Sequence, residues 1–151
     1  MPATTSKEIS ALAQRLRLVL ARSARRLRQH AGDALTPSQT AALATVERHG
    51  PLTPSELASL EQVSRPTATK VLSQLQSGGL VARTPDPSDG RSALVSVTAR
   101  GRERLARMRR RKDAYLSGRL RALSESERET LERAARILER LIEEPDRGSR
   151  S

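Results

Sequence analysis

The sequence predicts a mainly α-helical fold with one small β-hairpin, an α+β arrangement. Apolar residues recur at steps of three and four over most of the chain, which is typical of helices with one buried face. Helix start signals, in which Ser or Thr precedes Glu or Gln by three positions, occur at Thr36, Thr53 and Ser124. A Pro- and Gly-containing turn is followed by alternating apolar residues at 93, 95 and 97, which indicates a strand of a hairpin.

The composition of the 151-residue chain excludes several classes of protein. It has no cysteine, and His30 and His49 lack acidic partners at ligand spacing, so we expect no metal and no cofactor. A Ser/His/Asp arrangement and a Gly-rich phosphate loop are both missing, so we predict that the chain is not an enzyme. No apolar run could span a bilayer and the N-terminus lacks a signal-peptide core, which predicts no membrane partner and a cytoplasmic protein.

The positive charge is distributed unevenly along the chain. The formal net charge is +11, with +5 in residues 1–35, +1 in residues 36–101 and +5 in residues 102–151. A basic flank raises the affinity for a polyanion, although an arginine-rich solvated surface explains the same excess. The central segment is therefore almost neutral between two basic flanks.

The first predicted helix runs from about Lys7 to Gln29 and is closed by Gly32. It has an apolar stripe opposite an arginine-rich face, and the stripe is formed by Ile9, Leu12, Leu16, Val19, Leu20 and Leu27. A helix of this length exceeds what a small domain requires for its core, so we interpret residues 1–35 as a dimerisation helix that packs on a partner chain. Residues 1–5 are expected to be disordered.

Residues 36–101 are predicted to form a helix-turn-helix with a β-hairpin wing, which is a DNA-binding arrangement. One helix begins at Thr36 and ends at Gly50, and a second begins at Thr53 and ends near Gln62. Ser64 caps a third, the recognition helix, at about 64–77. Its predicted buried stripe is Ala68, Val71, Leu72 and Leu75. The opposite face carries small or basic side chains without a carboxylate, as close approach to DNA requires: Ser64, Arg65, Thr67, Thr69, Lys70, Ser73 and Gln74.

The wing is predicted at about 80–98, with strands at 80–84 and 93–97 and a tight turn at 85–91. Taken alone, this segment is best interpreted as an ordinary hairpin. Directly after a helix-turn-helix the interpretation changes, because an arginine at a wing tip can enter the minor groove. Arg91 is the candidate for that contact.

Residues 102–143 are predicted to form C-terminal dimerisation helices. Thr98 precedes a long helix that ends at about Leu123, and Ser124 and Glu127 form the start signal of the next helix. The apolar stripe of that last helix is Leu131, Ala135, Leu138, Leu141 and Ile142. Residues 144–151 are expected to be a disordered tail.

These motifs resemble the MarR (multiple antibiotic resistance regulator) family of winged-helix transcription factors. The resemblance rests on the segments TPSELA, SRPTATKVLSQLQSGGLV, DPSDGR and VSVTARG, and it extends over residues 10–142. It implies a homodimer whose recognition helices and wings contact a pseudo-palindromic double-stranded operator. It also implies a repressor released by a small anionic aromatic effector that binds in a cleft lined by the first, second and fifth helices. The residues that match the family's DNA contacts are Ser64, Arg65, Thr67, Thr69, Lys70, Gln74, Asp89 and Arg91.

Two positions depart from the family pattern. Gly90 stands where the family often has the first of two basic residues, and Ser73 stands where many members carry an acid that can bond the wing arginine. The polar candidates for the effector cleft are Arg26, His30 and Tyr115, for each of which a purely structural role is an alternative.

The leading functional hypothesis is a dimeric, sequence-specific, ligand-responsive DNA-binding regulator that acts as a repressor. The alternative is an architectural protein that binds DNA with little sequence preference through its basic flanks.

Overall fold

The computed structural model describes residues 5–32 and 34–143, and within these ranges six helices and two strands follow one another. The elements are α1 (Ser6–Ala31), α2 (Pro37–His49), α3 (Pro54–Glu61), α4 (Arg65–Ser77), β1 (Val81–Pro85), β2 (Ala93–Val97), α5 (Ala99–Arg121) and α6 (Glu125–Glu143). The chain divides into two compact units, residues 1–112 and residues 113–151. The predicted α+β fold class is confirmed.

Local capping fixes where the helices of the first unit begin. The hydroxyls of Thr36 and Thr53 accept hydrogen bonds from the backbone N–H groups of Gln39 and Glu56, at 3.1 and 3.2 Å. The side chains of Gln39 and Glu56 accept in return from the threonine N–H groups, which completes two capping boxes. Thr5 forms the same arrangement at the start of α1, so the expectation of disorder is wrong for this residue. Residues 1–4 lie outside the described residues.

The hydrophobic core of the first unit lies between α2, α3, α4 and the hairpin. Leu43 of α2, Leu57 of α3, Leu72 of α4 and Val95 of β2 are each at most 1% exposed. All four belong to one cluster of buried side chains, with Val71 packed on it as a partly buried neighbour. The predicted stripe on α4 therefore faces the core.

The hairpin is antiparallel, with Val81 opposite Val97 and Arg83 opposite Val95. Leu52 extends the pairing through hydrogen bonds between its backbone and that of Val95, at 2.7 and 3.1 Å. A two-stranded ribbon is marginally stable by itself, so these contacts with the helical core are what holds it.

Hydrogen bonds of Thr98 join the segment before β1 to the start of α5. The Thr98 hydroxyl donates to the Gly79 carbonyl at 2.7 Å and accepts from the Gly101 N–H at 3.0 Å, which caps α5. The Thr98 N–H donates to the Leu80 carbonyl at 3.0 Å. Gly101 is required for this approach, because a Cβ there would lie against the Leu80 carbonyl oxygen and 2.9 Å from Val97 Cγ2.

Apolar side chains are exposed on α1 of the first unit and on α6 of the second unit. Among the 26 residues of α1, Ala31 is buried, whereas Ile9, Leu12 and Val19 are more than half exposed. The second unit contains α6, in which no residue is buried and Leu141 and Ile142 are 63% and 83% exposed. None of the helices in residues 5–32 and 34–143 is both long and apolar enough to cross a membrane.

The start of α6 is fixed as the sequence predicts. The Ser124 N–H donates to Glu127 Oε2 at 2.8 Å, and the Glu127 N–H donates to the Ser124 hydroxyl at 3.2 Å. The backbone and hydroxyl hydrogen bonds from Ser124 hold the pKa of the Glu127 carboxyl below its ordinary value of 4.5. The expected disorder of residues 144–151 falls outside the described residues.

Gly101→Ala is expected to lower the free energy of unfolding by about 1–3 kcal/mol, because the new methyl group overlaps backbone atoms that cannot move independently. Urea denaturation followed by circular dichroism measures this change. Gly90→Ala is the matched control, since its Cβ would have nothing within 4 Å, and it should alter stability by less than about 0.5 kcal/mol. Equal stability of the two variants would contradict the proposed close packing at Gly101.

Candidate nucleic-acid interface

The exposed face of α4 follows from the burial of its opposite face. Ala68, Leu72 and Leu75 are at most 2% exposed, so a helix of 3.6 residues per turn must turn the remaining positions outward. All of the polar residues predicted on this helix are exposed, namely Ser64, Arg65, Thr67, Thr69, Lys70, Ser73 and Gln74. The first unit thus presents two cations and several hydroxyl and amide groups on one surface, with no acidic residue between Glu61 and Asp86.

Four of these polar residues have structural hydrogen bonds, and those of Ser64, Thr67 and Gln74 join helices or cap one. The Ser64 hydroxyl accepts from the Thr67 N–H at 3.3 Å, and the two hydroxyl oxygens lie 2.8 Å apart. Ser64 therefore caps α4, as predicted, and fixes the position of Thr67. Gln74 Oε1 accepts from Gln39 Nε2 of α2 at 3.0 Å, which leaves the Gln74 amide nitrogen as a donor.

Arg83 of β1 contacts the recognition helix, which the sequence pattern did not indicate. Its Nη2 donates a long hydrogen bond, 3.4 Å, to the Ser73 hydroxyl of α4, and its Nε is buried without a hydrogen-bond partner among the described residues. The side chain joins the wing strand to the recognition helix. Ser73, which replaces the acid common in the family, thus accepts a hydrogen bond from a wing arginine.

Aspartates organise the tip of the wing. Asp86 Oδ1 accepts from the backbone N–H and the hydroxyl of Ser88, at 2.9 and 2.7 Å. Asp89 Oδ1 accepts a hydrogen bond from the Arg91 N–H at 3.0 Å. Asp89 therefore stabilises the turn that carries Arg91. The Arg91 side chain is exposed, and the neighbouring Gly90 has open space beside it.

Comparison with known proteins identifies the arrangement. The model of the MarR family matches residues 35–93. An uncharacterized HTH-type transcriptional regulator of Mycobacterium bovis is 39% identical over 134 residues, which cover 88% of this chain and 94% of that protein. The chain belongs to the MarR family.

Solved structures agree with this assignment. A putative transcriptional regulator protein from Pseudomonas aeruginosa matches with a TM-score of 0.85 and 33% identity, covering 93% of this chain and 99% of that one. Wild-type MarR from E. coli in its apo form matches with a TM-score of 0.68 and 25% identity, covering 84% and 96%. MarR-family proteins are DNA-binding transcriptional regulators and not enzymes, in agreement with the expectation from the sequence.

The resemblance to the MarR family implied an effector cleft between the first, second and fifth helices. A recess of about 250 Å³ lies there, and its lining residues are Arg28, Gln29, Ala31, Leu35, Pro37, Thr40, Met108 and Lys112. Arg26 and His30 are exposed on α1 and are not among these lining residues. Tyr115 belongs to the second unit. Helical periodicity marks a polar face without showing which of its residues meets another helix, so the sequence does not indicate that Arg28 and Lys112 line this recess.

The pKa of the Asp86 carboxyl in the wing turn depends on the hydrogen bonds that shape the turn. The Ser88 hydrogen bonds, from the backbone N–H first and the hydroxyl second, hold the pKa of the Asp86 carboxyl below its ordinary value of 3.8. The pKa of Asp86 is lower in the folded state than in the unfolded state, so the ionised carboxylate stabilises the fold. This stabilisation is present above pH 3.8 and is lost as the pH falls through the folded-state pKa.

Ser88→Ala is expected to raise the pKa of Asp86 toward 3.8 without reaching it, since the backbone hydrogen bond remains. Carboxyl-carbon NMR shifts recorded against pH measure the titration. Ser92→Ala makes the same change in the same turn without removing a hydrogen bond to the Asp86 carboxyl, and should leave the pKa unchanged. An Asp86 pKa that is identical in the wild type and Ser88→Ala would refute the role of that hydroxyl.

Proposed function

We propose that the chain acts as a homodimeric, ligand-responsive repressor that binds a pseudo-palindromic operator. Residues 36–101 form its DNA-binding domain, and residues 1–35 and 102–143 form its dimerisation part. The observation that carries the proposal is the acid-free, exposed face of α4 beside an ordered wing with an exposed arginine at its tip.

The DNA contacts are assigned by side-chain chemistry. Arg65 and Lys70 supply cationic donors to base edges and phosphates, and Thr69 supplies a small hydroxyl. Gln74 offers its amide nitrogen. Arg91 enters the minor groove beside the major groove occupied by α4, while Asp89 holds the turn behind it. Thr67 and Ser64 position the helix N-terminus, whose N–H groups favour phosphate.

Exposed apolar stripes support the dimer. On α1, Ile9, Leu12 and Val19 recur at helical spacing and are more than half exposed, although such side chains are normally covered. On α6, Leu131, Leu141 and Ile142 of the predicted stripe are 47–83% exposed. A second copy of the chain supplies a self-complementary apolar surface for each stripe. Two-fold symmetry then places the operator half-sites roughly 10 bp apart, about one turn of DNA.

The proposed effector is a small anionic aromatic compound. It binds in the recess between α1, α2 and α5, where Arg28 and Lys112 offer positive charge and Leu35 and Met108 offer apolar surface. Arg26, His30 and Tyr115, the candidates from the sequence, remain proposals for residues that influence this site.

Lys70→Ala and Arg91→Ala are each expected to weaken operator binding by about 1–3 kcal/mol, because each removes a cationic donor from the interface. The operator is obtained by selection from random duplexes, and affinity is measured by fluorescence anisotropy at fixed salt. Arg102→Ala removes the same type of charge from α5, outside the proposed interface, and should change the affinity much less. Wild-type affinity in both interface variants would refute the assigned contacts.

The architectural alternative is favoured by the exposed arginines of α1, which include Arg15, Arg22 and Arg25. A competition assay separates the two functions. A sequence-specific regulator keeps its operator complex in excess random duplex and moderate salt, whereas a binder that depends on phosphate attraction alone loses it.

Leu12→Glu is expected to convert the dimer to monomers, because it buries a carboxylate at the centre of the proposed α1 contact. The dissociation constant should rise on the order of a hundredfold or more. Sedimentation velocity measures the assembly against the 16.6 kDa chain mass. Leu60→Glu is the matched control, since Leu60 is half exposed on α3 and lies outside both stripes. A dimer that persists unchanged in Leu12→Glu would overturn the proposed interface.

A further inference from the structure

Arg83 lies where the wing strand β1 meets the recognition helix α4. Alternate side chains of a strand lie on the same face, so Arg83 shares a face of the ribbon with Val81. Val81 belongs to the same buried cluster as Leu72 of α4, which turns this face toward the helix. The Arg83 side chain is half-buried as a result, whereas Ala82 and Thr84 on the other face are exposed.

The group that holds Arg83 in this position is neutral. Nη2 donates to the Ser73 hydroxyl of α4 at 3.4 Å, which is longer than the usual distance of about 3 Å for such a bond. A hydroxyl accepts a hydrogen bond without neutralising the guanidinium charge. Within the part of the chain that the structure describes, Arg83 takes part in none of the ion pairs. The nearest acid in the sequence, Asp86, accepts its hydrogen bonds from Ser88.

The junction of α4 and β1 also lies on the path of a DNA strand when α4 and the wing occupy neighbouring grooves. One sugar–phosphate backbone separates each major groove of a duplex from the adjacent minor groove. With α4 in the major groove and Arg91 in the minor groove, that backbone crosses the junction where Arg83 and Ser73 meet. The two terminal nitrogens of Arg83 carry further N–H groups, whose fork matches two oxygens of one phosphate.

We propose that Arg83 binds a phosphate of the DNA backbone that separates the two grooves, and that Ser73 positions its guanidinium group for this contact. The inference rests on the proposed binding of DNA by α4 and the wing, and it adds a contact that reads no base. A neutral partner suits this role, because a carboxylate in place of Ser73 would cancel the charge that attracts the phosphate. Arg83 Nε is buried without a hydrogen-bond partner among the described residues, which indicates that these residues leave the guanidinium group incompletely satisfied.

The salt dependence of DNA binding tests the proposal, because each phosphate contact releases condensed counterions. Fluorescence anisotropy measures the affinity for the selected operator and for a random duplex between about 50 and 200 mM KCl. Arg83→Gln is expected to weaken binding to both duplexes by the same factor, about fivefold or more, and to reduce the slope of log affinity against log salt concentration by about 0.9. Arg83→Lys keeps the charge and should keep the wild-type slope.

Ser73→Ala separates a phosphate contact from a purely structural link between the helix and the wing. It removes the same hydrogen bond but leaves the charge of Arg83, so the salt slope should stay at the wild-type value and the affinity should fall less than in Arg83→Gln. Equal effects of Ser73→Ala and Arg83→Gln on affinity and slope would show that the link alone matters, which overturns the proposal. Arg102→Gln is the matched control, since it removes one arginine charge from α5, outside the proposed interface, and should leave the slope unchanged.

The outcome for Arg83 can be distinguished from the outcome for the proposed function. Circular dichroism verifies that each variant is folded. A wild-type slope in Arg83→Gln overturns the phosphate contact, and the proposed function stands if the wild type still prefers its operator. A wild type that binds the selected operator no better than random duplex contradicts the proposed function, while the slope on random duplex still decides the role of Arg83. A wild type that binds neither duplex overturns both.

Discussion

The packing of one face of α4 is the constraint on which the remaining features of the first unit depend. Leu72 and Leu75 are almost completely buried between α2, α3 and the hairpin. Because a helix cannot rotate without removing these side chains from the core, their burial fixes the direction of Arg65, Thr69 and Lys70. The polar surface that a DNA-binding protein requires is therefore produced by the hydrophobic core behind it.

The wing depends on the same core through contacts at its base. A hairpin of two five-residue strands has too little buried surface to hold a defined orientation alone. Leu52 pairs with Val95 on one side, and the Thr98 hydroxyl and N–H bond to Gly79 and Leu80 on the other. Arg83 adds a side-chain link to α4. The orientation of Arg91 relative to α4 thus results from several weak contacts that act together.

The arginines of α5 show that similar side chains have different roles on one helix. Arg109 forms an ion pair with Glu47 of α2, whereas Arg111 bonds to the final carbonyls of α1. The first contact is half exposed and stabilises only modestly. The second interacts with the negative end of the α1 dipole and joins α1 to α5 within the first unit. Net charge by itself does not distinguish these roles.

The sequence by itself determined the starts of α2, α3, α4 and α6, the buried stripe of α4 and the turn at the wing tip. The helix starts and the turn depend on side chains that contact backbone within about four residues, as Thr53 and Glu56 do. The stripe of α4 follows from the spacing of apolar residues along one helix, so neighbouring residues suffice to predict all three. The family resemblance added the expected DNA contacts. Only the tertiary structure placed Arg83 on Ser73, Arg111 on the end of α1, and Arg28 instead of Arg26 in the recess between α1, α2 and α5. These contacts join residues that are ten to eighty positions apart, and the packing of the whole core decides which of many polar side chains meet.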